Sequence, residues 1–116
     1  MRWFLRSKIH KATVTDQNLN YVGSIGIDKA LIKKAGFLPG EKVLVVDNTN
    51  GARLETYVIE EKKDSGKIAA YGAACHLIKK GDIIIIMGFE LSKIPIKPKI
   101  VFVDKNNSPL KKPPKE

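Results

Sequence analysis

A chain of 116 residues with 43% apolar side chains is sized for one domain with a packed core of its own. Its single cysteine, Cys75, excludes an internal disulfide, and no Cys/His cluster has zinc spacing, which points to a reducing compartment and no metal. The net charge of +9 raises nucleic-acid binding, yet over half of it comes from Lys93, Lys97, Lys99, Lys105, Lys111, Lys112 and Lys115 against only Asp104 and Glu116, and aromatics do not interleave with basic residues as stacking platforms.

The N-terminus, Met1-Arg2-Trp3-Phe4-Leu5-Arg6, is charged too early for a secretory signal, and the apolar run Ile83-Ile84-Ile85-Ile86-Met87 is far short of a membrane span. Both features predict a soluble, cytoplasmic protein with no membrane partner. Alternation over residues 8–15 predicts a half-buried strand with Lys8 and His10 opposite Ile9. Asp16-Gln17-Asn18 reads as a turn, residues 19–22 as a short apolar segment, and Gly23-Ser24 as a loop in which glycine turns and serine bonds locally to backbone. Asp28 is a good N-cap for a helix over Lys29–Ala35 with Ala30, Leu31 and Ile32 inward, and Gly36 stops it.

Pro39-Gly40 turns the chain into a strand over residues 42–46, and Asn50-Gly51 marks a hairpin. The return strand, residues 53–60, alternates Leu54, Thr56 and Val58 against Arg53, Glu55 and Tyr57. Arg53 and Tyr57 therefore share a face, about 13 Å apart. After a turn at residues 62–66 and a short strand at 67–71, Gly72-Ala73-Ala74-Cys75-His76 leads into a helical turn ending near Gly81. Residues 82–89 read as a strand buried on both faces, and residues 100–103 as the last strand. Pro109, Pro113, Pro114 and their lysines predict a disordered tail. The reading is a single domain over residues 1–104 and a basic tail over 105–116, mainly β, a small β-barrel with short helical insertions.

Tyr21-Val22-Gly23-Ser24, then Asn50-Gly51-Ala52-Arg53 with Thr56-Tyr57, then Gly72-Ala73-Ala74, occur in an order and spacing that resembles the pyruvoyl-dependent aspartate decarboxylase family. Lys8-Ile9-His10, Ile27-Asp28 and Gly81-Asp82-Ile83 extend the resemblance over roughly residues 1–103. It implies a double-psi β-barrel, a homotetramer, and decarboxylation of L-aspartate to β-alanine and carbon dioxide for pantothenate synthesis. It also implies a covalent pyruvoyl group made from Ser24, with neither metal nor pyridoxal phosphate. Loss of carbon dioxide at the α-carbon leaves a carbanion, and a ketone that forms a Schiff base with the substrate amine is the electron sink no ordinary side chain supplies.

In the family the serine hydroxyl attacks the preceding carbonyl, turning the peptide bond into an ester. Elimination then splits the chain, and hydrolysis leaves the pyruvoyl group at the new N-terminus. Glycine at position 23 suits this, since its carbonyl is unhindered and it tolerates strained dihedrals. By resemblance, Thr56 assists self-cleavage and touches substrate, and Tyr57 returns the proton to the carbanion. Lys8 and Arg53 hold the substrate carboxylates, while Gly72, Ala73 and Ala74 line the pocket with backbone. Three positions depart from the family pattern: Tyr71 and Asp47 stand where asparagine is usual, and Val22 where glutamate is usual. The alternatives are a poorly processed or non-enzymatic homologue and a small basic barrel that binds nucleic acid. A separate maturation factor is left open.

Overall fold

The computed structural model describes residues 1–115. Strands β1 (Arg2–Thr13), β2 (Asp16–Asn18), β3 (Ser24–Asp28), β4 (Lys42–Asp47), β5 (Arg53–Glu61), β6 (Ile68–Tyr71), β7 (Ile83–Ser92) and β8 (Lys99–Phe102) form one sheet. Their order is β2-β6-β3-β5-β4-β7-β1-β8. Helix α1 (Lys29–Ala35) follows β3, and a 3-10 turn at Gly72–His76 follows β6. The chain is mainly β, of the small-barrel class expected from the sequence.

Alternation along the strands explains the core. Ile9, Ile25, Ile27, Val43, Val45, Val58, Ile68, Ile84 and Ile86 all point inward and are essentially solvent-free, and Leu31 of α1 closes over them. Neighbours such as Lys8, Tyr57 and Glu55 are left on the outer face. Parallel pairs β1·β8, β2·β6 and β3·β5 join strands distant in sequence, so the sheet is built by crossovers as well as by hairpins. Register shifts in β1 between Leu5 and Ser7 and between Ile9 and Ala12 bend that strand, as bulges do.

Asp28 is the N-cap read from the sequence, but it does more than cap. Its carboxylate accepts from Ala30 N at 2.8 Å and also from Asp64 N and Gly66 N, each at 2.9 Å, tying the helix start to the β5–β6 turn. The buried face of α1 is Leu31, Ile32 and Ala35 rather than Ala30, because the short helix leans on the barrel with its last turn. The β4–β5 hairpin forms as expected, with Asp47 Oδ1 accepting from Thr49 N at 2.8 Å and Asn50 N at 3.3 Å.

Four expectations are corrected. Asp16–Asn18 is a short strand, not a turn, because the open edge of β6 supplies a ladder that overrides local turn chemistry. Ser24 is not a loop residue bonded locally to backbone: it opens β3 through pairing with Tyr71, and its Oγ has no hydrogen-bond partner. Strand β7 is buried on one face only: Ile84 and Ile86 are sealed, whereas Ile83, Ile85 and Met87 on the outer side are only half-buried.

The fourth concerns the tail, which does not begin at residue 105. Asn107 is buried; its amide donates to Thr13 O and Gly66 O at 2.8 Å each, and its Oδ1 accepts from Thr13 N at 2.8 Å. A bridge between Val103 and Pro109 completes the fold-back, so residues 105–110 belong to the domain. A single buried asparagine supplies bonds that composition cannot reveal.

Candidate active site

Ser24 is the first residue of β3, a strand held between β6 and β5. On one side it pairs directly with Tyr71. On the other, Ile25 is in register with Val58, which sets Ser24 level with Tyr57 and Gly23 level with Thr56. Ile25, Val58 and Ala70 point into the core, so Ser24, Tyr57 and Tyr71 lie on the opposite, outward face. Tyr57 is 41% exposed there, whereas Ser24 is sealed.

Two features of Ser24 stand out. Its φ is 143°, in a region L-residues rarely adopt, which costs on the order of 1–3 kcal/mol. Its Oγ is buried without a hydrogen-bond partner. An orphaned hydroxyl is unusual, because burying one unsatisfied costs roughly 1–3 kcal/mol. Directly before it stands Gly23, which has no side chain of its own to crowd its carbonyl; a Cβ there would meet Tyr71 O at 3.9 Å. The residues thus fit the family's cofactor chemistry: an unpartnered, strained hydroxyl that follows a residue with no side chain.

The 3-10 turn packs on this corner. Gly72 has φ +63°, and a Cβ placed on it would lie 3.0 Å from Gly23 Cα and 3.2 Å from Tyr21 O. Ala74 is buried beside it and Ala73 is exposed. Strand register sets Thr56 and Tyr57 beside Gly23 and Ser24, and the 3-10 turn that begins at Gly72 lies against Gly23.

Lys8 and Arg53 are not part of that cluster. Arg53 stands on the Tyr57 face of β5 but four residues away, about 13 Å along the strand. Lys8 sits on β1, level with Met87 on β7, Leu44 on β4 and Glu55 on β5, about 14 Å around the sheet at ordinary strand spacing. Both point outward. His10 stacks edge-on against Phe102 at 5.6 Å, far from Ser24 in the sheet order.

Tyr71 pairs with Ser24 through its backbone. Its ring lies over Gly26, where a Cβ would meet Tyr71 Cε2 at 2.8 Å, and its hydroxyl donates to Glu61 Oε2 at 2.5 Å. Lys67 Nζ approaches Glu61 Oε1 at 3.5 Å, and the Tyr21 ring stacks on Tyr71 at 4.5 Å. Burial first, and then the bond to Glu61, raise the Tyr71 pKa above the ordinary tyrosine value. Burial opposes the charge on Lys67, but Tyr71 and Glu61 outweigh it and raise the Lys67 pKa. Glu61 and Lys67 carried no signal in the sequence; only Gly26, two residues beyond the Gly-Ser pair, marks where a large ring could be seated.

Fold and site together define a class: a small β-barrel that carries a strained, buried serine at the mouth of a strand. The aspartate decarboxylase family model matches residues 1–110, and the chain belongs to that family. It is 56% identical over 108 residues to the aspartate 1-decarboxylase of Clostridium botulinum (strain Alaska E43 / Type E3), covering 90% of this chain and 87% of that protein. Against the aspartate 1-decarboxylase of Thermoanaerobacter pseudethanolicus the identity is 50% over 113 residues, 94% of this chain and 97% of the relative. A third, from Neisseria meningitidis (serogroup C, strain FAM18), is 52% identical over 110 residues, 91% and 87% of the two chains.

Proposed function

We propose that the protein decarboxylates L-aspartate to β-alanine and carbon dioxide for pantothenate synthesis, after cutting itself between Gly23 and Ser24. The observation that carries this reading is Ser24 itself, buried, unpartnered and strained behind a bare glycine, in a chain of this family. The Ser24 hydroxyl attacks the Gly23 carbonyl carbon, and Thr56, level with Gly23 on the adjacent strand, donates to the developing oxyanion. Release of the strain at Ser24 lowers the barrier to this rearrangement.

The pyruvoyl group left at residue 24 supplies the electron sink for decarboxylation. Tyr57, level with residue 24, delivers a proton to the α-carbon from the solvent side. Backbone of Gly72–Ala74 orients the substrate, small residues there permitting close approach.

Arg53 and Lys8 bind the two substrate carboxylates, with Arg53 suited to a bidentate grip. They lie too far from Ser24 on one copy to do so together, so the site is completed by a neighbouring copy in a homotetramer. Apolar side chains left at the surface support assembly: Ile85 and Met87 are half-buried, and Trp3 (68%), Leu91 (45%) and Ile94 (71%) are exposed.

Denaturing mass spectrometry of warmed protein, paired with carbon dioxide release from L-aspartate, tests this reading. Two fragments separated at the Gly23–Ser24 bond, the larger blocked at its N-terminus, and turnover abolished in Ser24→Ala, are expected. A persistent intact chain of 12.9 kDa overturns it.

A further inference from the structure

The segment before the Gly23–Ser24 bond has few anchors. Leu19, Tyr21 and Val22 are 54%, 52% and 79% exposed, and the Tyr21 amide makes one long bond, 3.3 Å to Asn18 O. The Ser24 side of the bond is fixed by strand pairing, but a strained φ persists only if both sides are held. Tyr71 is placed to hold the other side. Its ring meets the Tyr21 ring at 4.5 Å and 40°, and the next residue, Gly72, lies so near Gly23 that a Cβ on it would stand 3.0 Å from Gly23 Cα.

Tyr71 is itself anchored. Gly26 leaves the space its ring fills, its hydroxyl is bound to Glu61 Oε2, and Lys67 steadies the other carboxylate oxygen of Glu61. Burial and that bond keep the hydroxyl protonated, hence a donor, through neutral pH. We infer that Tyr71, locked by Glu61, is a positioning residue for self-cleavage: it clamps Tyr21 and so holds the Gly23 carbonyl against the Ser24 hydroxyl. This rests on the reading of Ser24 as the residue that cuts the chain.

The test follows self-cleavage of freshly purified wild type, Tyr71→Phe, Glu61→Ala, Glu61→Gln and the Tyr71→Phe/Glu61→Ala double variant by denaturing mass spectrometry, with thermal melts of each. Loss of a charge-assisted hydrogen bond slows cleavage roughly tenfold in Tyr71→Phe and Glu61→Ala. The double variant is no slower than either single, and Glu61→Gln, which keeps an acceptor oxygen, restores most of the rate. A merely structural role would slow cleavage only in step with the fall in melting temperature across the variants, and that result, or no rescue by glutamine, overturns the inference. Wild-type cleavage rates in all variants overturn it as well. Should Tyr71→Phe fail to fold, the alanine and glutamine variants of Glu61 decide alone. A wild type that never cleaves defeats the underlying reading, an outcome distinct from cleavage that is indifferent to Tyr71.

Discussion

Gly72 rests its Cα edge against Gly23: a methyl on Gly72 would stand 3.0 Å from the Gly23 Cα and 3.2 Å from the Tyr21 carbonyl oxygen. Both neighbours are backbone and cannot swing aside, and a φ of +63° strains any L side chain. Gly72→Ala is therefore expected to displace the Gly23–Ser24 corner, at a cost of roughly 1–3 kcal/mol. Cleavage in a mass-spectrometric time course should slow at least tenfold, with a lowered melting temperature. Cleavage at the wild-type rate would show that the contact yields freely.

Tyr57 is level with Ser24 yet 41% exposed, so its hydroxyl meets the solvent side of the site. Tyr57→Phe keeps the ring and removes only the proton donor. Processing is expected to run normally while carbon dioxide release per processed chain falls about a hundredfold or more. Undiminished turnover would take Tyr57 out of the reaction.

Asp47 is buried with Oδ2 lacking a donor, and the Asp82 carboxyl is its neighbour. Burial first, then the bond shared with Asp82, raises the Asp47 pKa, while that bond lowers the Asp82 pKa. A raised carboxyl favours the folded state while protonated and loses that stability as pH climbs through its folded pKa. Asp82 acts oppositely, its contribution fading as pH falls through its lowered value. Asp47→Asn keeps Oδ1 as acceptor for Thr49 N and Asn50 N and gives Asp82 a permanent donor. Melting near neutral pH should rise by about 2–5 °C, with the gain vanishing in acid where Asp47 is protonated. A gain that is flat with pH would dissociate the effect from ionisation.

Asn107 bonds both the N–H and the C=O of Thr13 and reaches Gly66 O, all at 2.8 Å. Truncation after Asp104 leaves those buried groups unpaired and should cost roughly 2–4 kcal/mol. Truncation after Leu110, outside these bonds, should leave the melting temperature within a degree or so. Equal stability of the two truncations, read by urea titration, would remove the staple role of Asn107.

The local elements were legible because their causes are local. Asp28 before and Gly36 after a seven-residue run define α1, and Asn50-Gly51 defines the hairpin, through chemistry contained in a few residues. The motif set around Gly23-Ser24, Arg53, Thr56-Tyr57 and Gly72 carried the family through its spacing alone. Local patterning failed where a distant partner decides. Asp16–Asn18 becomes a strand because β6 offers an edge, and the outer side chains of β7 stay only half-buried although the run is apolar throughout.

By itself, then, the sequence determined which residue types are present in which order, the cut-site pair among them, and with them the family. Only the tertiary structure decided that Ser24 is strained and unpartnered, that Tyr71 turns to Glu61 across Gly26, and that Asn107 folds the C-terminal segment back onto Thr13. Dihedral strain, buried hydrogen bonds and ring contacts arise from groups brought together across the sheet, and the spacing of residues along a chain does not encode those distances.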